Sequence, residues 1–307
     1  MNKQLQRFYA HGKLMLSGEY LVLKGALSLA VPLKTGQELL LSEGTEDGLL
    51  WESKEMGRSW LKAHFDDELQ LVSTSDRAIA ERLQRLLIKA RELNPDFLAQ
   101  KQKLHLLSSL EFMREWGFGS SSTLVSNIAS WAQCDPFALN AHVFGGSGYD
   151  IACAQASGPL LYQLRDGKPV WEELSFSPPF AGQLYLVWLN RKQDTRSGLA
   201  RFDPEMVSAA QLEEVNNITR EMLQCSSLSD FQRLLLQHEE LIGKTLNQLP
   251  AGKRLFDDFP GVVKSLGAWG GDFVLAASDL LPSRLMDYFK QKGFPTVFRY
   301  NDLLFQS

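Results

Sequence analysis

The chain has 307 residues, 44% of them hydrophobic and 22% charged, with a formal net charge of −4. That profile is one of a globular chain long enough for one large domain or two smaller ones, and the acid excess argues against a nucleic-acid or anionic-membrane surface. The three cysteines, Cys134, Cys153 and Cys225, are widely spaced and odd in number, so they form no disulfide or metal framework and suit a reducing cytoplasm.

In chain order, residues 1–8 are polar and lack the apolar core of a secretory leader, and no apolar run approaches a membrane span. Residues 14–31 are apolar with small interruptions, 37–42 read as a strand, and 49–60 as a hairpin or loop. The clearest helix is 76–93, where Ile79, Leu83, Leu86, Leu87 and Ala90 recur at helical spacing; Ser75 is placed to cap it and Asn94-Pro95 ends it. A strand at 104–113 leads to the run Gly117-Phe118-Gly119-Ser120-Ser121-Ser122-Thr123, followed by a helix at 124–132. Asp135-Pro136 opens a short helix to Phe144, a second glycine turn covers 145–150, and 151–156 is a short helix or turn. After a strand at 160–164, the Asp-Gly and Pro-Pro pairs of 165–179 mark the domain boundary, giving lobes of 1–170 and 171–307. The second half holds a strand at 183–189, helices at 204–223 and 228–249, and strands at 262–266 and 273–277 joined by a third glycine turn, 267–272. A helix at 281–292 and a strand at 296–300 finish it. Strands and helices without regular alternation predict an α+β fold in two lobes.

The Gly/Ser run is the most informative of these features. A helix N-terminus carries unpaired N–H groups and partial positive charge that attract phosphate, and glycines let the backbone approach a ligand closely. The run is neither of two familiar phosphate loops. A dinucleotide fingerprint needs a third glycine where Ser122 stands, and a Walker A loop needs lysine where Ser120 stands. Gly243-Lys244-Thr245 imitates the end of a Walker A loop, but His238 occupies the place of its first glycine and the stretch reads as mid-helix. Taken alone, the run is also compatible with a plain strand-to-helix turn, Asp150 with a turn residue or cap, and Lys13 with a solvated lysine.

Four segments together change that reading. His11-Gly12-Lys13-Leu14-Met15-Leu16-Ser17-Gly18-Glu19-Tyr20 resembles the P-G-K-hydrophobic-x-x-x-G-E-[HY] opening of the GHMP kinases, with His11 for proline. The run 117–123 resembles that superfamily's G-L-G-S-S-A-x phosphate loop, with Phe118 for leucine and Ser122 for alanine. The segment 146–150 is similar to the one bearing its catalytic aspartate, and 267–272 to its G-A-G-G-G motif, with Trp269 for a glycine. The segments stand in the family order across nearly the whole chain.

The resemblance implies the two-lobed GHMP kinase fold, with an N-terminal α+β lobe related to a ribosomal-protein domain and a ferredoxin-like C-terminal lobe. It implies ATP and Mg2+ as cofactors. Gly117, Gly119, Ser120, Ser121 and Ser122 would cradle the ATP phosphates, and Ser121 would also hold magnesium. Asp150 would take or orient the acceptor hydroxyl proton, with Lys13 beside it and the transferred phosphoryl group. Glu19, Tyr20, Ser147, Gly148, Arg196, Ser197, Gly270 and Gly271 are the implied acceptor-binding positions, although Glu19 also reads as a structural hydrogen-bond acceptor. The division suits phosphoryl transfer, which needs positioning and charge neutralisation more than covalent chemistry.

The acceptor signals are mixed. Ser147-Gly148-Tyr149-Asp150 and Gly270-Gly271-Asp272 resemble bacterial phosphomevalonate kinases, whereas 190–197 looks more like a mevalonate kinase segment, with Gly198 where those enzymes have threonine. Arg191, Lys192 and Arg196 offer charge for a carboxylate- or phosphate-bearing alcohol, or form a solvated loop. Mevalonate kinases also carry a glutamate upstream of the aspartate, and Leu139-Asn140-Ala141-His142 holds no carboxylate. The expectation is a cytoplasmic mevalonate-branch kinase, mevalonate ahead of phosphomevalonate, with no nucleic-acid or membrane partner and room for a homodimer. A mevalonate-diphosphate decarboxylase-like enzyme and a non-catalytic nucleotide-binding relative remain open.

Overall fold

A computed structural model describes residues 5–190, 202–269 and 271–305. Its contacts gather into two compact units. One takes the described residues up to Gly12, Thr35–Arg114 and Phe118–Gln155; the other takes Lys13–Lys34, Glu115–Gly117 and the described residues from Ala156 onward. Strand β1 (Gln6–Met15) and the sixteen-residue strand β2 (Ser28–Glu43) each pass from one unit into the other.

In the first unit the later part of β2 joins β3 (Gly48–Glu55), β4 (Arg58–Phe65), β5 (Leu71–Thr74) and β6 (Lys103–Leu110) in the order β5-β4-β3-β6-β2. The 49–60 region is the β3–β4 hairpin. Met56 and Gly57 both sit at positive φ, as a two-residue turn with the twist of paired strands requires. Helices α1 (Arg77–Leu93), α2 (Ser120–Ala132), α3 (Pro136–Val143) and α4 (Tyr149–Gln155) supply the rest of the core. Leu83, Leu86 and Leu87 of α1 bury against Trp51, Phe65, Leu106 and Ile128. The cap of α1 is Asp76, not Ser75: Asp76 Oδ1 accepts from the Ile79 N–H at 3.1 Å, while Ser75 Oγ accepts from Lys62 N at 2.9 Å.

In the second unit, the first part of β2 pairs with β7 (Leu160–Arg165), and β7 with β8 (Lys168–Glu173). Strand β8 lies inside the segment expected to connect the lobes. The Asp-Gly turn read there is the hairpin turn between β7 and β8, with Asp166 and Gly167 both at positive φ. A separate antiparallel sheet has the order β10-β11-β9-β12, built from β9 (Leu184–Trp188), β10 (Val262–Ser265), β11 (Phe273–Ala277) and β12 (Val297–Arg299). Helices α5 (Ala209–Gln224), α6 (Leu228–Leu246), α7 (Ala251–Leu255), α8 (Pro282–Gln291) and α9 (Tyr300–Leu303) complete the unit. Thr245, which breaks the apolar stripe of α6, is explained by its bonds: its hydroxyl donates to Leu241 O and accepts from Gln211 Nε2 of α5. Among the described residues no helix is long and apolar enough to cross a membrane.

Leu87 is fully buried in the first unit's core, so Leu87→Ala should cost about 2–5 kcal/mol of stability. The expected outcome is a lower urea midpoint with an unchanged slope.

Candidate functional site

The Gly/Ser run folds as a turn that opens directly into a helix. Gly119 stands at φ 91° as the N-cap of α2, and the helix begins at Ser120, four residues earlier than the apolar pattern indicates. The reason is local: once Gly119 takes the left-handed conformation, the Thr123 N–H reaches Gly119 O at 3.0 Å and the serines become the first helical turn. A glycine N-cap has no side chain to satisfy the first N–H groups, which leaves them for a ligand. Ser121 is exposed. The Ser122 hydroxyl instead donates to Gly119 O at 2.8 Å, so this residue offers a ligand only its backbone.

A buried polar cluster holds α2 against the sheet, and no motif pointed to it. Gln37 of β2 accepts from the Thr123 hydroxyl at 2.6 Å, donates to Ser108 Oγ at 2.6 Å, and its carbonyl accepts from Asn127 Nδ2 at 2.8 Å. Because every member is paired, the cluster fixes the rotation of α2 and the direction of its first turn. Helix α4 packs on α2, with Ile151 in the same core as Val125 and Ile128. Asp150 lies half-buried in the first turn of α4, its Oδ1 accepting from Ile151 N at 3.1 Å. Ser147 and Gly148 are buried just before it, and Gly148 O accepts from the N–H groups of Ile151 and Ala152. The first unit thus carries Gly119, Ser120, Ser121, Ser122 and Asp150 on two helices packed together.

The second unit carries the opening motif. Lys13 is half-buried near the end of β1. The following loop is tied down from several sides. Gly18 is at φ 87°, and a Cβ there would lie 2.2 Å from Ser28 Oγ, so only glycine fits. Its N–H donates to His238 Nε2 of α6 at 2.9 Å. Glu19, expected among the acceptor contacts, is 2% exposed and binds the ammonium of Lys264 on β10. Lys264 also donates to Ser265 O at 2.9 Å, and Ser265 Oγ donates to Glu239 Oε2 at 2.8 Å. The Tyr20 hydroxyl donates to Ala268 O at 2.9 Å, and its ring packs on Phe202.

Burial sets the charges in this cluster. It pushes the Glu19 carboxyl up, opposed by Lys264, and pushes the Glu239 carboxyl up to about 7, again opposed by Lys264. Burial and the Lys264 charge hold His238 well below its ordinary value. His238 is therefore neutral and its Nε2 accepts from Gly18; the 3.2 Å approach of Glu19 Oε2 to that nitrogen is not an ion pair. The directly bonded Lys264–Glu19 pair carries the charge, and Glu239 keeps its proton below neutrality.

The third glycine turn also lies in the second unit. Gly267, Trp269 and Asp272 are at φ 62°, 57° and 55°. Trp269 thus takes a left-handed backbone conformation that glycine adopts readily, with its ring buried. A Cβ on Gly117 would lie 2.7 Å from Asp272 Cγ, so the start of the Gly/Ser run rests against this carboxylate. Gly271 is buried beside it. Arg191, Lys192, Arg196, Ser197, Gly198 and Gly270 lie outside the described residues. Among the described residues no group of three His, Cys, Asp or Glu side chains could hold a metal ion. The exposed Ser121 hydroxyl is a hard oxygen donor of the kind that suits Mg2+ when phosphate oxygens and water complete the shell.

No family model and no curated protein matches this chain. Solved structures do. L. major mevalonate kinase in complex with R-mevalonate superposes at TM-score 0.67 with 17% identity, covering 97% of this chain and 96% of that one. Methanococcus jannaschii mevalonate kinase superposes at 0.70 with 14% identity over 100% of both chains. Streptococcus pneumoniae phosphomevalonate kinase, in complex with phosphomevalonate and AMPPNP, superposes at 0.69 with 18% identity, covering 96% and 99%. At these identities the likeness is one of fold, and the fold of this chain is that of the GHMP kinases.

The buried carboxyl gives a pH prediction. Glu239 titrates about 7 when folded and at 4.5 ordinarily, so folding takes up a proton between those values. Its contribution to stability is full below pH 4.5 and is lost as pH rises through about 7. His238, with its value lowered, works in the opposite direction below 6.5. Glu239→Gln removes only the first effect. Its stability relative to the unmodified chain should rise by up to about 3 kcal/mol across that window and level off above it. Thermal midpoints of both proteins across the pH range check this; a flat difference would reject it.

Proposed function

We propose that the chain is an ATP- and magnesium-dependent small-molecule kinase acting on a carboxylate- or phosphate-bearing alcohol, with mevalonate preferred over phosphomevalonate. The observation that carries the reading is the glycine-capped first turn of α2, with Ser121 exposed, packed beside the helix that bears Asp150. In this reading the N–H groups of the first turn of α2 hold the ATP phosphates, where the helix dipole and fixed donors need no reorganisation. Magnesium, when bound, neutralises charge on the phosphate oxygens. Ser121 Oγ is its protein ligand. Asp150 accepts the proton of the acceptor hydroxyl as that oxygen bonds to the γ-phosphorus and the bond to the β–γ bridging oxygen breaks, releasing ADP. Lys13 offsets the charge on the transferred group. The reading also takes the lobes as 1–170 and 171–307, and places the protein in the cytoplasm on the evidence of three free cysteines.

A second reading, a non-catalytic nucleotide-binding relative, is favoured by one observation: α3 carries no carboxylate. The test is ADP release by the purified protein with ATP and Mg2+, run separately with mevalonate, phosphomevalonate, mevalonate diphosphate, homoserine and galactose. Turnover on one acceptor supports the kinase and names its branch. Carbon dioxide release identifies a decarboxylase, and ATP binding without turnover supports the second reading.

Asp150→Asn should lower kcat by about 10²–10⁴-fold while ATP binding persists; near-normal turnover removes Asp150 from the proton-transfer role. Ser121→Ala should raise the magnesium concentration needed for half-maximal activity by about tenfold. An unchanged magnesium titration counts against its role as ligand.

A further inference from the structure

Lys264 is fully buried in the middle of β10, an environment in which lysine is rare unless paired. Its partner, Glu19, immediately precedes the most strained residue of the opening motif. Tyr20 sits at φ 62°, ψ −46°, and the Leu21 N–H donates to Glu19 O at 2.7 Å across it. That is a positive-φ γ-turn, a rare conformation, and at a tyrosine it persists only where the surroundings over-determine it.

The surroundings do so. His238 holds Gly18 on one side of Glu19, Lys264 holds the Glu19 carboxylate, and Ala268 O holds the Tyr20 hydroxyl. The Tyr20 ring therefore joins the opening motif to the third glycine turn, and its orientation depends on where Glu19 is anchored.

We propose that Lys264 is a positioning residue for acceptor binding, acting through Glu19 on the strained turn that orients Tyr20. The proposal rests on the small-molecule kinase reading above. Glu19 then serves as the link between cation and turn instead of touching the acceptor. A cation that merely neutralised a buried carboxylate could be removed together with that carboxylate at no cost to kinetics. A positioning cation could not.

The test uses the full chain with Lys264→Met, the double variant Lys264→Met/Glu19→Gln, and 3-fluorotyrosine labelling, with the Tyr20 fluorine resonance assigned by its loss in Tyr20→Phe. Lys264→Met should raise KM for the acceptor about tenfold, leave KM for ATP within about twofold, and shift the Tyr20 resonance while the other tyrosine resonances stay. The double variant, which buries no unpaired charge, should recover the thermal midpoint but not the acceptor KM or the resonance. If Lys264→Met does not fold, the double variant carries the test. A double variant with unaltered acceptor KM and an unmoved Tyr20 resonance overturns the proposal. If the unmodified chain turns over no acceptor, the kinase reading fails, and with it the acceptor role. The fluorine measurement then separately decides whether Lys264 holds the turn, and an unmoved resonance overturns that as well.

Discussion

The pairing of Lys264 with Glu19 is the interaction on which the second unit's functional surface depends. Taking either charge out of water alone is costly, and removing one partner of such a buried pair typically costs about 3–5 kcal/mol. The pair is held because Lys264 has a second acceptor in Ser265 O, and because burial pushes the Glu239 carboxyl up to about 7, so that below neutrality no second carboxylate charge stands beside it. Four structural elements converge on the loop that Glu19 anchors. Ser17 shares a hydrogen bond with Thr219 of α5, Gly18 donates to His238 of α6, Glu19 binds β10, and Tyr20 binds the turn after β10. Strain at Tyr20, of order 1–3 kcal/mol for such a backbone, is offset by these contacts.

The first unit solves a different problem. In its proposed role as a phosphate-binding turn, the start of α2 must present N–H groups without filling the space that the phosphate needs. Gly119 opens α2 without a side chain, and the Gln37 cluster fixes the helix from behind using groups that are all paired internally. The attraction of a helix N-terminus for an anion is modest, about 0.3–2 kcal/mol, so it acts as a positioning device whose value depends on the rigidity of the helix behind it.

The fold is kept at identities of 14% to 18% because it depends on burial pattern and backbone geometry more than on particular side chains. Trp269 illustrates the latitude. The turn needs a left-handed residue there, and a tryptophan at φ 57° supplies it.

By itself the sequence determined most of the local structure: the helical stripe of α1, the hairpin near 49–60, and the glycine turns with the helices or strand that follow them. These are legible because they depend on neighbours within a few residues, through periodicity, turn residues and αL-tolerant positions. It also singled out Lys13, Ser121 and Asp150 as candidates, because their motifs are short and contiguous. What only the tertiary structure decided are the contacts that join distant segments: Glu19 with Lys264, 245 residues apart, Gly18 with His238, 220 apart, and Gln37 with Thr123, 86 apart. Nothing local distinguishes Lys264 from a solvated lysine or Gln37 from an ordinary strand residue. Their charge state and bonding follow from burial, and burial is a property of the packed chain, not of the residue or its neighbours in sequence.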